Sequence, residues 1–127
     1  MLLEERMRTI SEAICAMHGA RCQFSYTHEF APTVNWQQCV DVAVTAAINV
    51  VGAEKVDGNV AQMMISEDFG AFLQKIPGCF IFLGNGDSSD AQGNTPLHNA
   101  CYDFNDEILL TGAEYFAEVV RTRLPQE

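Results

Sequence analysis

Positive charge is what this sequence has least of. Seven lysines and arginines stand against 17 aspartates and glutamates, for a net charge of −10 over 127 residues. Binding to nucleic acid draws on clustered cations that displace counterions from phosphates, and no basic cluster occurs here, so a nucleic-acid partner is not expected. Long apolar runs are missing too. No stretch approaches the roughly 18–20 uninterrupted apolar residues that cross a bilayer, so no membrane partner is expected. The start, Met1-Leu-Leu-Glu-Glu-Arg, carries carboxylates too early for a secretory signal, and a cytoplasmic location is the expectation. The five cysteines include no C-x-x-C pair, and their number is odd. That excludes a complete disulfide framework and a zinc knuckle, and favours reduced thiols, mostly packed in apolar segments. Cys101 alone falls in a loop, where an inert packed thiol is still the ordinary reading. No H-x-x-x-H or H-x-x-E-H spacing is present, and Ser66 lacks the G-x-S-x-G context of a hydrolase nucleophile.

What is present alternates between helical and extended patterning. Leu3, Met7, Ile10, Ile14 and Met17 form one apolar stripe of a helix that Gly19 ends. Cys22 to Phe30 alternates strictly, with Cys22, Phe24, Tyr26, His28 and Phe30 on one side, which predicts a half-buried strand. Pro32 breaks it. A second helix is predicted from Asn35 to about Val51, facing inward with Val40, Ala43, Val44, Ala47, Ile48 and Val51, and stopped by Gly52. Ser66 is placed to cap a short helix that runs to about Lys75, with Glu67 and Asp68 in its first turn. Cys79–Leu83 is an apolar run suited to a buried strand. Gly84–Thr95, with three glycines, two asparagines and two serines, reads as a surface loop. Asn105-Asp106 caps the last helix, expected to bury Leu109, Gly112, Ala113, Phe116, Val120 and Leu124.

Two strands are too few for a stable sheet, so the α/β pattern calls for strands from elsewhere. The three histidines carry different expectations. His18 sits near a helix C-terminus, where an imidazolium complements the dipole, and His28 lies on the aromatic face of the first strand. Both read as structural. His98, in a loop ahead of the last helix, is the candidate metal ligand, although a hydrolytic zinc site takes three or more protein ligands.

Three motifs, in order, carry a resemblance. They are Ser66-Glu67-Asp68-Phe69, Pro77-Gly-Cys-Phe-Ile-Phe-Leu-Gly-Asn-Gly-Asp87, and Leu97-His98-Asn99 with Tyr102-Asp103-Phe104-Asn105-Asp106. Together they resemble the two-metal amidohydrolases: hippurate hydrolases, aminoacylases and related carboxypeptidases. The likeness covers essentially the whole chain and is to the end of such enzymes. It implies an α/β truncated part of a two-domain amidohydrolase: residues 1–31 as the last helix and strand of an α+β lid, or dimerisation, domain, and 32–127 as the C-terminal part of an α/β catalytic domain. Ala31-Pro32-Thr33-Val34-Asn35 resembles the crossing between the two.

The resemblance also implies chemistry. In such enzymes two divalent ions, zinc or manganese, activate a bridging water against the amide carbonyl of a small N-acyl amino acid, and a glutamate shuttles the proton. His98 is the ligand implied here, with Ser66, Glu67 and Asp103 beside the pocket; proximity in sequence alone offers Asp103 or a backbone carbonyl as a partner supporting His98. The family's other ligands and its general base have no counterpart in this sequence. The chain alone is therefore expected not to retain the metal or to hydrolyse amides, and no catalytic residue is assigned to it. Its expected partners are another copy of itself or a complementary N-terminal fragment. A non-catalytic dimerisation or binding module derived from the same fold is the alternative.

Overall fold

The structure is a computed structural model that describes residues 2–86 and 95–124. Four α-helices account for its regular structure: α1 (Leu2–Met17), α2 (Gln37–Val51), α3 (Phe69–Leu73) and α4 (Ile108–Arg123), with one 3-10 turn at Ala53–Lys55 after α2. The helix ends follow local chemistry. Past α1, Gly19 takes a φ of 66°, Gly19 N–H donates to Ala16 O (3.1 Å) and Ala20 N–H to Cys15 O (2.9 Å). That pair of bonds is a Schellman closure, which a residue with a Cβ makes at a cost.

No strand forms among the described residues. Residues 21–34 make no backbone–backbone hydrogen bond there. The period-two pattern is nonetheless kept: the rings of Phe24 and Tyr26 stack at 6.4 Å and Tyr26 meets His28 edge-on at 5.0 Å, so alternate residues share a face. The segment is extended and lacks a ladder because none of the described residues pairs with its backbone. Cys79–Leu83 behaves likewise, extended but unladdered, although both segments were predicted as strands. Of the predicted loop 84–95, residues 87–94 lie outside the described residues.

The packed part is built on α2. Ala43 and Ala46 are buried, and α2 packs directly against α4. Small residues let the two helix backbones approach, and Asn49 Nδ2 donates to Glu118 Oε1 (2.9 Å) across the seam. Here the sequence-based expectation for α4 fails. Its half-buried residues are Ile108, Thr111, Gly112, Tyr115, Glu118, Val119 and Thr122, while Leu109, Phe116, Val120 and Leu124 are exposed, Phe116 to 71%. The most apolar stripe of α4 is turned away from α2, because α2 offers its small face to the neighbouring stripe. Ile48 of α2 is likewise more exposed than predicted, at 38%.

α3 begins later than its sequence suggests. Ser66 does not cap it; Glu67 Oε1 accepts from the backbone N–H groups of Asp68 (2.9 Å) and Phe69 (3.3 Å) instead. The carboxylate reaches two of the helix's free donors, which the shorter serine side chain does not. Gly70 is buried, and a Cβ there would lie 2.4 Å from Ala31 O, so the 31–32 crossing can lie against α3 only because residue 70 is glycine.

Candidate functional site

Two asparagines organise the surroundings of the loop that carries His98. Asn35, just before α2, donates from Nδ2 to Phe80 O and accepts at Oδ1 from Phe80 N–H, both at 2.8 Å. One carboxamide thus satisfies both backbone groups of a residue in the extended 79–83 segment, as a neighbouring strand would. Trp36 adds a backbone bond to Gly78 O (3.0 Å) and an indole bond from Nε1 to Leu73 O (3.0 Å). At the other end of the segment, Asn85 Nδ2 donates to Asp103 O (2.9 Å) and its Oδ1 accepts from Asn105 N–H (2.8 Å). The run from α2 to 80–85, to 103–105, into α4 and back to α2 is a closed circuit.

Within that circuit the His98 loop is held by its own turns. Asn99 N–H donates to Pro96 O (3.1 Å), Tyr102 N–H to Asn99 O (3.0 Å), and Cys101 N–H to Asn99 Oδ1 (2.8 Å). His98 is the third residue of the first turn, with a φ of 70°, and no other described residue except glycine has a positive φ. A type II turn asks for positive φ at that position, and histidine is among the residues that tolerate it better than most. The imidazole stands exposed on that turn.

The other implied residues do not gather around it. Ser66 is exposed, Glu67 is occupied at the start of α3, and Asp103 is engaged through its backbone carbonyl by Asn85. Among the described residues no group of three or more His, Cys, Asp or Glu side chains is close enough to hold a metal ion. Sequence reasoning missed Asn35 and Asn85. Their one signal was position: each flanks an apolar extended run whose backbone would otherwise go unpaired.

An open groove of about 590 Å³ lies between α2, α4 and the segments 56–63 and 79–84. It is lined largely by Val44, Ala47, Val51, Phe80, Phe82 and Tyr115, and His98 is not on its wall. Burial there raises the Tyr115 hydroxyl and the Cys79 thiol above their ordinary pKa ranges, with Cys79 and Cys39 respectively adding to the effect. Both groups therefore stay neutral near pH 7.

Against this geometry the comparisons with known proteins are decisive at one level. Residues 5–122 match Peptidase family M20/M25/M40. The chain belongs to that family, whose members are metal-dependent hydrolases. Among its relatives, hippurate hydrolase of Campylobacter jejuni is 29% identical over 118 residues, covering 93% of this chain and 29% of the relative. N-acetylcysteine deacetylase of Bacillus subtilis is 29% identical over 115 residues, covering 91% and 28%. Thermostable carboxypeptidase 2 of Saccharolobus solfataricus is 32% identical over 115 residues, covering 87% and 27%. The chain thus spans less than a third of the length of these relatives. No solved structure matches it.

Proposed function

We propose that this chain is the C-terminal part of a metal-dependent amidohydrolase that cleaves the amide bond of N-acyl amino acids, hippurate-like substrates among them. The observation that carries the reading is the His98 turn: an exposed imidazole at positive φ, within the segment that resembles the family's ligand-bearing motif, with Asn99 holding the turn and Asn85 holding residues 103–105 further along that segment. Names among the relatives, hippurate hydrolase and N-acetylcysteine deacetylase, support the substrate class. In this reading residues 1–31 belong to a lid domain and 32–127 to the catalytic domain, and the protein works in the cytoplasm.

The donor set of the chain does not by itself fit a metal. One imidazole is a single corner of a site that takes three or four protein ligands, and no trio of donors is gathered among the described residues. The isolated polypeptide is therefore expected to be inactive. The remaining ligands, the general base and the choice between zinc and manganese belong to a complementary N-terminal region. The test is a chimera in which this chain replaces the matching segment of the Campylobacter jejuni hippurate hydrolase. Hippurate hydrolysis is expected, with loss of activity and of one bound ion per chain on His98→Ala; a His98→Ala chimera with full turnover overturns the assignment.

A second reading rests on a different observation. The α1 stripe is bare, with Leu3 73% and Met17 80% exposed, and the 22–30 segment beside it has no backbone pairing among the described residues. A non-catalytic dimerisation module would use that surface to bind another copy. Sizing chromatography of the chain and of Ile10→Glu decides it: a monomer at all concentrations removes this reading.

A further inference from the structure

Among residues 2–30, only Glu4, Ser11, Cys15, Cys22 and Phe24 are half-buried, and every other side chain is exposed. Residues 4, 8, 11 and 15 share one helix face, and 22, 24 and 28 share one face of the extended segment. The Schellman closure at Gly19 folds the second face back onto the first in antiparallel order. His28 Nε2 meets Glu4 Oε2 at 3.1 Å, and the Arg8 guanidinium lies 4.7 Å from the centre of the Phe24 ring. Nearer the turn, the half-buried Cys15 is a neighbour of the half-buried Cys22, with Glu12 and Arg8 beside them.

We propose that Cys15 and Cys22 form a dithiol modification site, which a small-molecule disulfide such as oxidised glutathione closes to an intramolecular disulfide that ties α1 to the 22–30 segment. One protein thiol gives up its proton and its sulfur attacks the oxidant, breaking the oxidant's S–S bond. The first reduced thiol departs, leaving a mixed disulfide. The second protein thiol then gives up its proton and attacks the protein sulfur of that intermediate, releasing the other reduced thiol. Two protein thiols lose two electrons and two protons, and one oxidant disulfide gains them. This site owes nothing to His98 and stands whether or not the amidohydrolase reading holds.

The surroundings set its pH behaviour. Partial burial pushes the Cys22 thiol above the ordinary cysteine range; neighbouring Cys15 and then Glu12 push the same way, while Arg8 pulls it down. Facing the pair are thus one carboxylate, one guanidinium and each other. The thiolate is the attacking species, so closure accelerates as pH rises toward the raised value. Cys101, exposed in its loop, serves as the internal reference for a thiol modified on its own.

The test is timed oxidation of the reduced chain by oxidised glutathione, followed by alkylation of remaining thiols, trypsin cleavage and mass spectrometry. Cleavage after Arg8, Arg21 and Lys55 puts Cys15 in Thr9–Arg21 and Cys22 in Cys22–Lys55, so the bond appears as a linked pair of peptides. Fragmentation separates Cys22 from Cys39 within the second peptide. A Cys15–Cys22 bond is expected, forming faster at higher pH, reversed by excess reduced glutathione and lost in both Cys15→Ser and Cys22→Ser. Separate glutathione adducts on Cys15 and Cys22 with no linked pair, a bond to Cys39 instead, or two thiols still open to alkylation each overturn the proposal.

Discussion

The two halves of the molecule are held by different kinds of contact. From α2 to α4, bonds that bridge 18 to 69 residues of sequence close a circuit through Asn35, Trp36, Asn85 and the Asn49–Glu118 pair. The α1 half has contacts across one turn of chain and exposed ion pairs such as Arg8–Glu4, with no buried residue in its helix. Exposed pairs of this kind contribute little, whereas an unpaired buried backbone group costs about 1–3 kcal/mol. The difference teaches that the apolar character of a segment does not set how firmly it is held. α1 has the cleaner apolar stripe and is the less supported of the two.

The largest expected effect comes from opening the circuit. Asn35→Ala leaves both backbone groups of Phe80 without their partner, and the α2–α4 half is expected to lose about 2–3 kcal/mol. Urea unfolding followed by fluorescence of Trp36, the single tryptophan, reads that half. An unchanged midpoint would mean that the asparagine clamp is not what separates the halves.

A smaller effect of opposite sign is expected at the loop. His98→Gly relieves the φ of 70° and is expected to raise stability by about 1 kcal/mol while removing the imidazole. In the hippurate hydrolase chimera, the same change should abolish activity. Stability and function then move in opposite directions, as they do where a functional residue holds a strained conformation.

In the α1 half, Ile10→Ser is expected to change the stability of the monomer by less than about 0.5 kcal/mol, since its side chain is already 58% exposed. Hydrogen exchange along α1 checks this; a marked loss of protection would show that the stripe is covered in solution.

The smallest effect is electrostatic. Hydrogen bonds from Asn49 and then Arg121 hold the Glu118 carboxyl below its ordinary range. A group whose folded pKa is depressed supplies stability above its unfolded pKa, and that stability is lost as pH falls through the folded value. Glu118→Gln should therefore lower the urea midpoint slightly near neutrality and not at acid pH, where the wild-type carboxyl is already protonated. A difference that persists at low pH would assign the contact to the amide hydrogen bond alone.

Local rules made part of this legible in the sequence. The ends of α1 and α2 follow from Gly19 and Gly52, because a helix is closed by bonds over four residues and stopped by a residue free to take positive φ. The same holds for the loop of His98, whose turns are made by Pro96, Asn99 and Asn105 close at hand. The family, too, was legible in three short motifs. The start of α3 was not, because Ser66 and Glu67 are both able to cap and only the folded backbone selects between them.

Sequence by itself determined that four helices form, roughly where they lie between extended segments, and which loop carries the candidate ligand. Tertiary structure alone decided which face of α4 meets α2, which asparagines stand in for missing strand partners, and that Cys15 becomes a neighbour of Cys22. The reason is physical. Helices and turns satisfy their polar groups from residues a few positions away, whereas a packed face, a clamp or a thiol pair depends on what another segment brings to the same place.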